Sequence, residues 1–156
     1  MKEMDFQLTR RTLLASLTVI TAFPALAESD INVLRIFKSP TCGCCSAWAE
    51  HMRHAGFDVH VKDVDHDTLQ AIKVSLSIPP RYMSCHTAQT GSYFVEGHVP
   101  ADDVKRLLQN RPVGLGLAVP GMPIGSPGME MGDRVDPYDV LLISSSGTAQ
   151  TFQRHG

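Results

Sequence analysis

The chain has 156 residues, of which 43% are hydrophobic and 19% are charged, and its formal net charge is -2 at pH 7. This length is typical of one compact domain, and both fractions are those of an ordinary globular protein. A charge balance so close to neutral provides no basic surface for nucleic acid or anionic lipid, so we expect neither as a partner.

The first residues have the pattern of a secretory signal. Lys2, Arg10 and Arg11 precede an apolar run over residues 13–26, and small residues end the segment at Ala27. A basic start, an apolar stretch and a small-residue cleavage site are the three parts of such a signal. A retained membrane anchor is the alternative, but the run is shorter than the roughly 18 residues that a spanning helix needs. We therefore predict cleavage after Ala27.

Residues 9–14, with the sequence TRRTLL, also resemble a twin-arginine signal. That route would export a chain that has already folded, whereas the alternative is a general secretory signal that carries two adjacent arginines. Either route predicts a periplasmic protein. The mature part, residues 28–156, is expected to form a single domain with no membrane span.

The first half of the mature chain alternates strands and helices. Residues 33–37 are rich in β-branched and aromatic side chains and predict a strand, and an amphipathic pattern predicts a helix over residues 46–55. Apolar and polar residues alternate over residues 57–64, which predicts a second strand, and a second helix is predicted over residues 65–77. The apolar face of the second helix is expected to comprise Leu69, Ile72, Val74 and Leu76.

Two short strands follow, over residues 81–87 and 91–95, and their spacing predicts an antiparallel hairpin. A third helix is predicted over residues 99–110. The order is thus βαβα followed by ββα, with a cysteine motif between the first strand and the first helix. This is the arrangement of thioredoxin-like domains, so we predict an α/β, thioredoxin-like fold.

The composition changes after the third helix. Residues 111–136 are rich in glycine and proline and contain Met122, Met129 and Met131. A loop of this length in a compact domain is usually functional or disordered. Residues 140–144 and 148–153 predict a closing pair of strands. We therefore expect a Gly/Pro/Met-rich loop insertion and a C-terminal strand pair beyond the thioredoxin-like part.

Three of the four cysteines, Cys42, Cys44 and Cys45, fall within four consecutive positions, and the fourth is Cys85. Purely structural disulfides are the default in an exported protein, but thiols so close in sequence close no long loop. Two functional alternatives remain, which are thiol-disulfide redox chemistry and metal binding.

The redox alternative rests on the C-x-x-C pair formed by Cys42 and Cys45. The N-terminus of a helix lowers the pKa of a thiol, which makes Cys42 a candidate nucleophile with Cys44 or Cys45 as its partner. The additional Cys44 weakens this interpretation because it offers alternative disulfides.

The metal alternative rests on the softness of thiolate ligands, which favour Cu(I), zinc or iron-sulfur clusters. Zinc usually takes two well-separated ligand pairs, and the usual iron-sulfur spacings are absent from this sequence. Crowded thiolates can instead bridge several ions, so copper fits best, as Cu(I) and with more than one ion per chain. The other soft or imidazole donors that could contribute are Met83, His86, His98, Met122, Met129 and Met131. His51 and His54, on the first predicted helix, are expected to be exposed or hydrogen bonded, and His60 and His66 are expected to lie at the surface.

Three stretches carry a resemblance to a known family: SPTCGCCSAWAEHMRHAGF, IPPRYMSCHTAQTGSYFVEGHVP and GLAVPGMPIGSPGMEM. With the last strand pair they span residues 33–152. The sequence resembles the CopG-type copper-resistance proteins, which are exported metal-binding proteins also known as domain of unknown function 411. They are distinct from the ribbon-helix-helix repressors of the same name.

The resemblance implies a thioredoxin-like fold in which Cys42, Cys44, Cys45 and Cys85 bind a cluster of copper ions in the periplasm. It also implies a role in copper handling or resistance, with other periplasmic copper-handling proteins as partners. Our leading hypothesis is therefore a copper-binding protein. The alternative is a thiol-disulfide or copper-redox oxidoreductase that uses Cys42 and Cys45, and the sequence does not decide whether the protein is an enzyme.

Overall fold

The computed structural model describes residues 32–156, and the predicted signal at residues 1–27 lies outside them. The described residues form one mixed sheet of seven strands together with three α-helices. The strands are β1 (Val33–Lys38), β2 (Asp58–Asp63), β3 (His86–Thr90), β4 (Tyr93–Glu96), β5 (Gly116–Ala118), β6 (Tyr138–Ile143) and β7 (Ala149–His155). The helices are α1 (Gly43–His54), α2 (His66–Ser75) and α3 (Ala101–Asn110), and none of these three could cross a membrane.

The order of the strands across the sheet is β2-β1-β3-β4-β5-β6-β7. Strand β1 runs parallel to β2 and antiparallel to β3, and the register of the β1–β3 pair places Lys38 opposite His86. The chain therefore leaves β1 toward α1 at the same edge of the sheet at which it enters β3. This edge is where the residues just before β3 meet the first turn of α1.

The main hydrophobic core lies between the sheet and helices α1 and α3. Trp48 of α1 is fully buried in it, and its indole Nε1 donates a hydrogen bond of 2.8 Å to the carbonyl of Val99, just before α3. A buried indole N–H needs such a partner, since an unpaired polar group in the core is costly. The bond fixes the face that α1 turns toward the sheet.

Helix α1 begins at Gly43, three residues before the predicted start, because the carbonyl of Cys42 already accepts a bond from the amide of Ser46. Helix α2 departs from its predicted apolar face: Val74 is 69% exposed, whereas Lys73 is fully buried. The prediction for Val74 is wrong because the Lys73 ammonium pairs with Glu96, a buried residue of β4. This pairing turns Lys73, and not Val74, toward the sheet.

Two further predictions fail locally. Residues Pro80–Tyr82 form a short 3-10 turn, so the hairpin starts at His86 and not at residue 81. The predicted loop over residues 111–136 contains β5, which is buried and pairs with both β4 and β6. Strand β5 was missed because three residues that begin with glycine are too few to show an alternating pattern. Glycine is required at position 116 because a Cβ there would overlap the backbone of Phe94.

The glycine- and proline-rich loop after β5 packs on the start of α1. A Cβ added to Gly128 would lie 2.7 Å from the carbonyl oxygen of Cys44 and 2.8 Å from the amide nitrogen of Trp48, and its φ is +84°. The preceding carbonyl, that of Pro127, accepts a 2.8 Å bond from Nδ1 of His98. The loop is thus in direct contact with the cysteine helix.

We expect Gly128→Ala to displace this loop, because the added methyl group would overlap backbone atoms that cannot rotate away. The variant should show a lower melting temperature and faster proteolysis within the loop. Gly132→Ala is the matched control, since Gly132 also has a positive φ, of 62°, but no atom lies near its Cβ position. Equal effects of the two substitutions would show that backbone strain alone, and not contact with α1, determines the result.

Candidate metal centre

The four cysteine sulfurs lie together at the edge of the sheet where β1 ends and β3 begins. Cys42 is the N-cap residue of α1, Cys44 and Cys45 lie in its first turn, and Cys85 immediately precedes β3. All four Sγ atoms are within 4.8 Å of one another, and only Cys45 is fully buried. The fold thus brings Cys85 to the three thiols that are 40 or more residues earlier in the chain.

Cys42 and Cys45 form a disulfide, with 5.4 Å between their Cα atoms, and Cys44 and Cys85 are free. The sulfur of Cys44 lies 3.5 Å from that of Cys42. The bonded pair is the C-x-x-C pair of the redox alternative. Two electrons and two protons are needed to convert this state into four thiols, so the number of available sulfur ligands depends on oxidation state.

The thiol of Cys85 lies between two imidazoles. Its Sγ is 3.3 Å from Nδ1 of His86 and 3.2 Å from Nε2 of His98, and these three ligand atoms lie within 4.8 Å of one another. Burial, together with the neighbouring Cys44, raises the pKa of Cys85 to about 11. At neutral pH this thiol is therefore protonated.

His98 is oriented by the loop that packs on α1. Its Nδ1 donates to the carbonyl of Pro127, which leaves the lone pair of Nε2 directed at Cys85. Burial lowers the pKa of His98, so the ring is neutral at pH 7. A histidine whose second nitrogen is held by a carbonyl is the usual arrangement of a metal ligand.

His86 is fully buried between the rings of Trp48 and His98, whose centroids lie 4.4 and 5.1 Å from its own. Burial, and to a smaller extent His98, lowers its pKa well below the usual value. Its Nδ1 faces Cys85, while its Nε2 has no hydrogen-bond partner among residues 32–156. The ring is thus neutral, and Nδ1 is the nitrogen that it presents to the sulfur site.

The predicted methionine donors have mixed surroundings. Met83 packs against a second hydrophobic cluster that contains Ile78 and Phe94. Met129 is half-buried, whereas Met122 and Met131 are 51% and 63% exposed. Ligation by these four thioethers therefore stays a prediction.

Two of the weaker histidine predictions can be placed. His51 accepts a 3.2 Å bond at Nε2 from the amide of Ala101, the first residue of α3, which gives it a structural role. His60 lies at the surface beside Asp58. Both agree with the expectation that these histidines are exposed or hydrogen bonded.

Sequence reasoning missed two residues next to the site, Ser84 and Glu96. The amide of Ser84 donates a 2.6 Å bond to the Glu96 carboxylate, and the Ser84 hydroxyl donates to the carbonyl of Gly121. The signal in the sequence was weak: Glu96 is a charged residue that directly follows the apolar residues of β4. A glutamate at the end of a strand is normally exposed to solvent, so the sequence did not indicate that this one is buried.

The chain is similar to proteins of known structure and to one family model. Residues 82–129 match a family described as "Protein of unknown function, DUF411". A solved structure titled "Copper resistance protein copG", form 2, is 42% identical, with a TM-score of 0.74, and the match covers 80% of this chain and 98% of that one. Form 1 is 41% identical, also with a TM-score of 0.74, over 79% of this chain and 96% of the other. No curated protein matches the chain.

The matched family segment contains Cys85, His86 and His98, and so covers the half of the site that lies outside α1. The two solved relatives cover nearly all of the described residues and are well above the identity at which only a fold is shared. The protein therefore belongs to the DUF411 family, together with the CopG copper resistance proteins.

Proposed function

We propose that the protein is an exported copper-binding protein that holds Cu(I) in a cysteine-bridged cluster and serves copper handling or resistance. The observation that carries this proposal is the convergence of four sulfur atoms within 4.8 Å of one another, in a chain 42% identical to a copper resistance protein. Cys42, Cys44, Cys45 and Cys85 are the proposed ligands.

The donor set is suited to a soft monovalent ion. Thiolates prefer Cu(I), and sulfurs that lie this close together can each contact more than one ion. The neutral imidazoles of His86 and His98 lie beside Cys85 and could complete the coordination. Met83, Met122, Met129 and Met131 are further candidate donors. Because the Cys42–Cys45 disulfide removes two ligands, the full cluster requires the reduced protein.

The proposed fold is thioredoxin-like. The order β1-α1-β2-α2-β3-β4-α3, with β1 and β2 parallel and β3 and β4 antiparallel, supports this assignment. The cysteine motif then lies at the N-terminus of the first helix, where backbone amides favour a thiolate. Strands β5, β6 and β7 and the long loop are additions to that unit.

We propose a periplasmic location for residues 28–156 as a single domain, after removal of the signal at Ala27 by the twin-arginine or the general route. The basic and apolar pattern of residues 1–27 supports this proposal. Partners would then be copper ions and other periplasmic copper-handling proteins.

A second function is favoured by one observation, the disulfide between Cys42 and Cys45. A C-x-x-C disulfide at the start of a helix is the arrangement of a thiol-disulfide oxidoreductase, and its cycle moves two electrons and two protons between this pair and a thiol substrate. Copper could also be the redox partner, by giving up or receiving one electron per ion.

Copper loading tests the proposed function. Reduced protein, incubated with Cu(I) without oxygen, should bind more than one copper ion per chain, and Cys85→Ser should reduce both the stoichiometry and the affinity. The reason is that a bridging sulfur contacts several ions, so its removal weakens the binding of each of them. Metal analysis after gel filtration, together with competition by a Cu(I) chelator, measures both quantities.

Ser46→Ala is the control, because Ser46 lies on the exposed side of the same turn. This variant should bind copper like the wild type. Wild-type protein that binds no copper above background, while its Cys42–Cys45 disulfide turns over with a thiol reductant, would contradict the copper-binding proposal and support the oxidoreductase.

The affinity for Cu(I) should rise with pH. Burial and the neighbouring Cys44 raise the pKa of Cys85 to about 11, so the metal-free thiol is protonated between about pH 6 and 8 and must release its proton to bind. The apparent association constant should therefore increase about tenfold per pH unit for each thiol proton displaced.

Above pH 7 the imidazoles should add little to the slope, because burial lowers the pKa of both His86 and His98 below the usual value. Chelator competition at several pH values measures the slope, and Cys85→Ser should give a shallower one. A pH-independent affinity in the wild type would mean that Cys85 does not bind the metal as a thiolate.

A further inference from the structure

A fully buried ion pair lies next to the sulfur site. Lys73 of α2 and Glu96 at the end of β4 both have no exposed side-chain surface. The ammonium of Lys73 donates to Oε1 of Glu96 and, over 2.7 Å, to the hydroxyl of Thr87. This pair is what turns Lys73 inward and leaves Val74 exposed.

Stability alone does not explain such a pair. Removing two charges from water is costly, and well-packed apolar side chains of similar volume often stabilise a protein as well or better. Burial raises the pKa of the Glu96 carboxyl, an effect that the Lys73 ammonium opposes. An apolar pair could not provide the hydrogen-bond acceptors that the Glu96 carboxylate provides.

The Glu96 carboxylate uses those acceptors on both sides of Cys85. Its Oε1 accepts a 2.6 Å bond from the amide of Ser84, and its Oε2 accepts a 2.6 Å bond from the hydroxyl of Thr87. The pairing of β3 with β1 starts only at His86, so the sheet does not hold the amide of Ser84. The carboxylate therefore fixes the residue before Cys85 and the second residue after it.

Ser84 also contacts the loop that packs on α1. The hydroxyl of Ser84 donates a 2.9 Å bond to the carbonyl of Gly121. Beside it, a Cβ on Gly97 would lie 2.8 Å from this hydroxyl oxygen and 2.6 Å from the carbonyl of Val119, so the approach depends on glycine. Ser84 is thus held from two directions, and Cys85 follows it directly.

We propose that Glu96 is a positioning residue, whose side-chain acceptors fix the Cys85 sulfur opposite the cysteines at the start of α1. The inference deepens the proposed function and rests on it, since Cys85 is proposed there as the fourth sulfur ligand. Glu96 is not itself a proposed ligand; it acts through the backbone amide of Ser84 and the hydroxyl of Thr87.

Two double variants isolate the acceptor from the charge. Lys73→Met with Glu96→Leu removes both charges and the acceptor for Ser84, whereas Lys73→Met with Glu96→Gln removes both charges but keeps a carbonyl oxygen for the Ser84 amide. The leucine variant should bind Cu(I) about 10- to 100-fold more weakly, as loss of a residue that orients a metal ligand does. The glutamine variant should stay close to the wild type.

Val140→Ala controls for stability, since Val140 is fully buried on β6, far from β3 in the order of strands. It should lower the melting temperature without changing the copper affinity. Equal copper affinity in the leucine and glutamine variants would overturn the proposal, because the acceptor would then have no effect on the site.

A metal-free measurement separates this proposal from the proposed function. In a Cys42→Ser, Cys45→Ser background only Cys44 and Cys85 remain, and dibromobimane becomes fluorescent when it alkylates two neighbouring thiols. The leucine variant should bridge them at least about tenfold more slowly, while the glutamine variant keeps the original rate. If the wild type binds no copper but bridging shows this contrast, the proposed function fails and the positioning role stands.

Thr87→Val covers the case in which the leucine variant does not fold. This nearly isosteric change removes the hydroxyl bond on the other side of Cys85 but leaves the ion pair, and it should also slow bridging. A rate equal to that of the original background would overturn the proposal.

Discussion

The antiparallel pairing of β1 with β3 determines where every sulfur of the site lies. Their register places Lys38 opposite His86, so the end of one strand and the start of the other share one edge of the sheet. The chain turns from β1 into α1, whose N-cap and first turn together carry three cysteines, and Cys85 immediately precedes β3. The site is therefore a consequence of backbone hydrogen bonding, and the side chains around it refine the position of the fourth sulfur.

Neutral groups with fixed orientations lie around the Cys85 sulfur. The imidazoles of His86 and His98 are kept uncharged by burial, and the carbonyl of Pro127 fixes the tautomer of His98. The thiol of Cys85 is kept protonated by the same burial. The imidazoles therefore place no fixed positive charge beside the Cys85 sulfur.

Local patterns were sufficient for most of the elements and for half of the site. Periodicity predicted the three helices and most of the strands, and the C-x-C-C motif is visible without any tertiary information. The contact of Cys85 with α1 depends on the order of strands, which the residues alone do not encode locally. The burial of Lys73 in place of Val74, and strand β5, were missed for the same reason, since a distant partner overrides the local preference.

The position of Trp48 has a practical consequence. It is the single tryptophan of the chain, and its ring lies against His86, which in turn contacts Cys85. Its indole N–H is held by Val99, so the ring has one fixed orientation. The ultraviolet emission of this protein above the tyrosine band therefore comes from one fluorophore two contacts away from the sulfurs. Oxidation and reduction of the neighbouring thiols can therefore be followed in the native chain without an added label.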